Sequence, residues 1–475
     1  MLKYSLLLSD NDIIFKLTVV LTCTRIYVAA IPCTHLSADS GCHECNEWGH
    51  CVPGKLPVDP WLDFALKTQR EIQLDEPFAN YQMFDSHNAF NNRGDGFGGN
   101  DSCSWPPPYD LPCQSFANHE FSLIDQLNMG IRGLELDNWW CHDAMRLAHM
   151  GTNLKIICFE RNKLWSSALQ DIANWLAKAG NEGEFVRLYI NEKFYQGHDD
   201  EFNDPIWESF GSKLLTPANL EENYGGVWPT MRRLREDGKN VAVMIKTGAD
   251  PEKDHGGLYV VRYDWRDAGM GGFTPYPLCG GKSPDDTRTW RFHGDATHYP
   301  IFYDGPSGGI MLDFHEMVKC HVQWPASDMV HPQMMRTAVF TWAEHEPAHT
   351  LQSGSCVALH SDNRWHVEQN CYQKFHYACR SLENKDVWTV SENTGPYSLT
   401  NDLCPDGFEF SLPNNGYRQM KVFEAAKGES VWINYSPWLP GYVAPTESAT
   451  TPSSAVRCRT SSILFLTALL VWLTT

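Results

Sequence analysis

Between Arg132 and Trp140 the chain reads RGLELDNWW, with two carboxylates, Glu135 and Asp137, two residues apart in a strand-like segment. Alternate side chains of a strand share a face. Leu134 and Leu136 therefore point one way, Glu135 and Asp137 the other. Two carboxylates facing a sheet interior repel and desolvate each other unless something positive lies between them. A cation, an arginine or a bound metal would each meet that need. Further reactive side chains stand at strand-like ends: NYQMFDSH closes on Asp85-Ser86-His87 and is followed by Asn88, MRLAHMG carries His149, EFVRLYINE ends in Glu192, and KNVAVMIK ends in Lys246. Taken singly, a histidine is more often a satisfied structural side chain, Glu192 a cap and Lys246 a solvated strand end. Together they form a set suited to acid–base work beside a positive charge.

The elements that must position this set alternate. FSLIDQLNMG reads as a helix that Ser122 caps and Gly130 stops. SSALQDIANWLAKAG and PTMRRLREDG are further helices, and GLYVVRY is a further strand. Strands that are nearly continuous in apolar residues, separated by helices, imply a parallel sheet covered by helices. No glycine-rich phosphate loop follows the first strand, so a (β/α) barrel of the TIM type over residues 56–345 fits better than a dinucleotide fold. In such barrels reactive groups sit at the C-terminal strand ends. Ahead of it lies a cysteine-rich head (31–55). Behind it, where Trp, Cys and turn residues increase, a small β-rich module is expected over 346–435.

The 475 residues carry a formal net charge of -20. That argues against nucleic acid as a partner, because neutralising phosphates needs a basic surface. The apolar run ending at Val28-Ala29-Ala30 reads as a secretory signal (1–30), with an N-terminal anchor as the alternative. At the other end a Ser/Thr/Pro-rich stalk (436–455) precedes a short spacer and a terminal apolar run (456–475). That order is the order of a GPI-anchor signal, with a short tail anchor as the alternative. The mature chain would then sit on the extracellular face of the cell surface. Of 16 cysteines, Cys23 and Cys458 fall in these end segments. The even remainder reads as disulfides, which are favoured over a zinc site at Cys42-His43-Glu44-Cys45. Asn100 and Asn434 head glycosylation sequons.

The blocks DSHNAF, QLNMGIRGLELDNWW and LAHMG resemble the X-region of phosphatidylinositol-specific phospholipase C and the wider PLC-like phosphodiesterases. Gln126, Leu127, Gly130, Arg132 and Asp137 match the second block, and residues 75 to 250 carry the likeness. The resemblance implies phosphodiester cleavage, with His87 and His149 flanking the phosphorus. It also implies a calcium-type ligand set of Asn88, Glu135, Asp137 and Glu192, whereas the metal-independent bacterial type places an arginine where the calcium type has its cation. Ca²⁺ takes several hard oxygen ligands, and Mg²⁺ is the competing ion. Lys246 would contact substrate phosphate, and Arg132 would be structural. The implied partner is a phospholipid or glycolipid at a membrane surface. Sphingomyelinase D and glycerophosphodiesterase barrels share the His, Glu-x-Asp, His skeleton with Mg²⁺, so the headgroup stays open.

Trp342, Glu346-Pro347, Cys356, Trp365, Cys371 and Cys379 resemble the second half of a C-type lectin-like domain. Ala348 and His366-Val367 replace that family's calcium-and-sugar residues. A stapled module is therefore favoured over a sugar site, and a cell-surface binding protein on an inactive barrel is the alternative to the enzyme.

Overall fold

The structure is a computed structural model that describes residues 33–103, 111–150, 156–194, 197–246, 257–269, 272–282, 286–294, 314–348, 351, 355–398 and 403–435; for residues 103, 111–112, 150, 156–157 and 192–194 the side chains are not described. The expected signal, stalk and anchor segments, and Ser436 of the second sequon, lie outside these residues. No helix among the described residues is long and apolar enough to cross a membrane. The chain divides into two units, Met1–Asp63 with Gln73–Ala338, and Phe64–Ile72 with Val339–Thr475. The break after Ala338 precedes the expected one near 345, and most of an early helix, Pro60–Glu71, joins the second unit together with Ile72.

The first unit is built on eight parallel strands: β1 (Asp85–Ser86), β2 (Gly133–Cys141), β3 (Val186–Phe194), β4 (Val241–Lys246), β5 (Val260–Tyr263), β6 (Arg266–Gly269), β7 (Trp290–His293) and β8 (Trp324–Ser327). Their order across the sheet is β5-β4-β3-β2-β1-β8-β7-β6, and every neighbouring pair is parallel. Chain order is thus kept cyclically around a curled sheet, consistent with a TIM-type barrel. Only Asp264 and Trp265 separate β5 from β6. Paired parallel strands need a crossover of a dozen or more residues, so these two act as halves of one bent segment. Its first half pairs with β4 and its second with β7. A short strand, Ala144–Leu147, returns antiparallel along the end of β2.

Local signals explain the helices that follow the strands. Ser122 accepts a hydrogen bond from the Asp125 amide and caps the helix Leu123–Asn128. The helix Trp165–Leu176 buries Trp165, Ala168, Leu169, Ile172, Trp175 and Leu176, the 3.6-residue face read from its sequence. Inside the sheet, Phe78, Tyr189, Met244, Trp265 and Trp324 form one apolar cluster. Arg132 donates to Glu184 (2.9 Å) and to the carbonyls of Leu127 and Ile131, a structural clamp at the foot of β2.

Gly133 opens β2 because nothing larger fits: a Cβ there would overlap the Asp85 carboxylate and press on Arg187. Gly133→Ala is expected to lower stability by about 1–3 kcal/mol through overpacking, read as a lower urea midpoint with an unchanged slope.

The head is stapled by Cys33–Cys45 and Cys42–Cys51. Both cysteines of the CxxC are thereby consumed, each by a different partner, and a zinc site there is ruled out. Other pairs are Cys141–Cys158 and Cys279–Cys320. The second unit carries β9 (Cys356–Leu359), β10 (Trp365–Glu368), β11 (His376–Ser381), β12 (Trp388–Val390), β13 (Phe408–Phe410) and β14 (Val431–Ile433). They form a β-rich sheet in the order β10-β9-β14-β11-β12, with β13 on β11. It is stapled by Cys356–Cys371 and Cys379–Cys404. The early segment belongs to this unit's core: the Trp342 indole donates to Thr68 (3.1 Å), and the Phe340 amide donates to Gln69 (2.6 Å).

Candidate active site

His87 directly follows β1 and is almost fully buried. Its Nδ1 lies 2.9 Å from Asp328 Oδ1, directly after β8. The second oxygen of Asp328 accepts from the Asn118 amide at 2.8 Å, so the carboxylate is fixed on both sides. The His87 carbonyl is held by His119 Nε2 at 2.7 Å. Burial alone would lower the pKa of His87. The charges of Asp328 and Glu135 and the hydrogen bond to Asp328 outweigh it and raise the value from 6.5 to about 9. His87 is therefore an imidazolium at neutral pH.

A group whose folded pKa lies above its unfolded value stabilises fully below the unfolded pKa and loses that contribution as pH rises through the folded one. For His87 the loss runs from about pH 6.5 to about 9 and amounts to about 3 kcal/mol. Urea midpoints measured across that window are expected to fall in the wild type and to fall much less in Asp328→Asn.

His149 lies beyond the returning strand, with Nδ1 3.4 Å from Asp137 Oδ2 and about a quarter of its side chain exposed. Phe90, three residues past His87, meets its ring edge-on at 6.4 Å between centroids. The loop after β1 thus brings both expected histidines to one rim, each beside a buried carboxylate.

The two carboxylates of the second strand part company. The register of β2 against β3 shifts between Leu136 and Asn138, and bulges of this kind re-aim side chains. Asp137 serves His149. Glu135 is bound by Arg291, from β7, through a short ion pair. Arg291 uses all three of its guanidinium nitrogens: Nε on Asp85 (3.3 Å), NH1 on Asp267 (3.2 and 3.3 Å) and NH2 on Glu135. Asp85 is also paired with Arg187. All of these groups except Asp267 are close to fully buried. Burial opposes the charge on Arg291, but Glu135, Asp267 and Asp85 raise its pKa above an already high value.

Arginine, not a divalent ion, thus answers the charge of Glu135. The expected calcium set fits poorly. Asn88 keeps a buried Oδ1 with no hydrogen-bond partner, as an awaiting ligand would. But Glu135 is committed to a guanidinium that three carboxylates lock in place, and Asp137 lies on His149. The side chain of Glu192 is outside the described residues, though its backbone lies in β3. Among the described residues no group of three or more His, Cys, Asp or Glu is placed to hold a metal ion. Lys246 ends β4, and its charge reaches Asp267.

Four residues missing from the sequence-based set complete the site: Asp328, Arg291, Asp267 and His293. His293 ends β7, with Nδ1 3.1 Å from Asp267, and its ring stacks on His87 at 5.0 Å and 18°. TWRFH and WPASD carried the same strand-end signal as the earlier segments, but the alternation there is too irregular to register them.

No family model matches the chain. Two uncharacterized proteins of Mycobacterium tuberculosis are 24% identical over 472 residues, covering 87% of this chain and 91% of theirs. A protein of Lodderomyces elongisporus called maintenance of telomere capping protein 6 is 34% identical over 85 residues, 17% of this chain and 14% of its own. Among solved structures, the calcium-dependent phosphoinositol-specific phospholipase C of a Pseudomonas species superposes with a TM-score of 0.33 at 15% identity, over 56% of this chain and 93% of its own. The phosphatidylinositol-specific phospholipase C of Listeria monocytogenes superposes with a TM-score of 0.34 at 13% identity, over 57% and 97%. Scores this low transfer neither activity nor ligand.

Proposed function

We propose that the chain is a phosphodiesterase of the phospholipase C type, cleaving a phospholipid or glycolipid phosphodiester by the paired action of His87 and His149. The observation that carries this is the two imidazoles at one rim, each beside its own buried carboxylate. His87 enters as an imidazolium, so it is the proton donor, and His149 is the acceptor. A hydroxyl of the headgroup attacks phosphorus and gives its proton to His149. The bond from phosphorus to the leaving oxygen breaks, and that oxygen takes the proton of His87. The first product is a cyclic phosphate, with no net change in protons. Lys246 contributes positive charge toward the phosphate. Glu135 is already neutralised by Arg291 and is not left free to hold a metal.

The described disulfides support a place in an oxidising compartment. We read the chain as exported and tethered at the extracellular surface by a GPI anchor, where its substrate lies.

The test is phosphorus NMR of phosphatidylinositol vesicles incubated with the protein, with calcium and with a chelator. A cyclic inositol phosphate formed equally in both supports the reading. Turnover that appears only with calcium would overturn the role given to Arg291. No turnover on phosphatidylinositol, sphingomyelin or glycerophosphodiesters would sink the enzyme altogether.

A further inference from the structure

We propose that His293 is a third imidazole of this site, a specificity-determining acceptor for a hydroxyl on the ligand's headgroup, positioned by Asp267. The inference rests on the phosphodiesterase reading for its ligand class and on separate geometry for its substance. Burial opposes the charge of Asp267, yet Arg291 and the hydrogen bond from His293 hold its carboxyl well below the usual carboxylate range. An ionised Asp267 fixes which nitrogen faces it: Nδ1–H donates at 3.1 Å, and Nε2, turned away from the carboxylate, offers its lone pair in the neutral ring.

That lone pair finds no donor in its stacked neighbour. The rings of His87 and His293 lie nearly parallel, and stacked rings do not point N–H groups at each other. Nε2 instead borders Gly269, the last residue of β6, where a Cβ would come within 4.0 Å of it. The side chain is 27% exposed, so a ligand can reach it. An oriented lone pair beside an imidazolium suits a molecule that offers an anion to His87 and a hydroxyl to His293. A phosphate monoester of a polyol has both, and inorganic phosphate lacks the carbon-borne hydroxyl.

The experiment is binding to the resting full chain, with histidine ring nitrogens labelled for NMR. The probes are myo-inositol 1-phosphate and inorganic phosphate. The inositol phosphate is expected to shift the His293 Nε2 resonance and to bind about 10-fold more tightly than inorganic phosphate, the worth of one hydrogen bond. His293→Phe keeps a ring to stack on His87 but no acceptor. It is expected to erase the 10-fold preference. His293→Gln retains an acceptor oxygen and is expected to restore part of the preference. A His293 resonance indifferent to the inositol phosphate, or a preference that survives in both variants, would overturn the proposal. Turnover is not needed for either readout. A chain that shows the preference but cleaves no phosphodiester would therefore uphold His293 and defeat only the enzymatic reading.

Discussion

His87→Ala and His149→Ala are each expected to reduce cleavage of a lipid phosphodiester by about 10²–10⁴-fold, the worth of a positioned acid or base. The double variant is expected to be little worse than either single one, because groups that act in one step are not additive. The two differ in how they respond to the leaving group. A diacylglycerol alkoxide is a poor leaving group and needs a proton, whereas nitrophenolate departs without one. With a p-nitrophenyl phosphodiester of the same headgroup, His87→Ala is expected to recover most of its lost rate and His149→Ala none. Rates on the two substrates measure this directly. Recovery by His149→Ala instead would exchange the two roles. Recovery by neither would show that His87 serves as a charge rather than as a proton donor.

Arg187→Met is expected to lower stability by about 3–5 kcal/mol, the usual result of stripping one partner from a buried ion pair. Arg187 is fully buried against Asp85, with its guanidinium 4.0 Å above the Trp324 ring. Its removal strands the Asp85 carboxylate, one oxygen of which already lacks a hydrogen-bond partner. Arg291 still reaches the other oxygen, which places the expected cost toward the lower end. Asp85→Asn in the same background removes the stranded charge, so the double variant is expected to be more stable than Arg187→Met alone. Urea unfolding of the four proteins closes the cycle.

Much of the fold was legible in the sequence. Apolar runs such as VAVMIK and capped helices such as the one begun by Ser122 depend on neighbours a few residues away, which a sequence displays. The need of Glu135 for a positive partner was legible in the same way, whereas the single face expected for it and Asp137 is broken by the register shift beside Asp137. The partner itself was not legible. Arg291 lies 156 positions from Glu135, on a strand of only four residues, and alternation says nothing about what faces a side chain across a barrel. The bulge past Leu136 was hidden too, because strict period-two reasoning assumes an unbroken ladder. The head's CxxC showed that cysteines would pair, but not with which partners, since spacing alone leaves connectivity open. His293 and Asp328 were hidden by the shortness of their strands: each stands at or directly after a strand of only four residues, too few for alternation to register.

The pairing of His87 with Asp328 also has a consequence in time. The two residues are 241 positions apart. A ribosome adding roughly 5–20 residues per second therefore finishes His87 some tens of seconds before it makes the carboxylate that charges it. β1 waits equally long for β8, its parallel neighbour. The contacts of His87 with Asp328 and of β1 with β8 are completed only once nearly the whole first unit has left the ribosome.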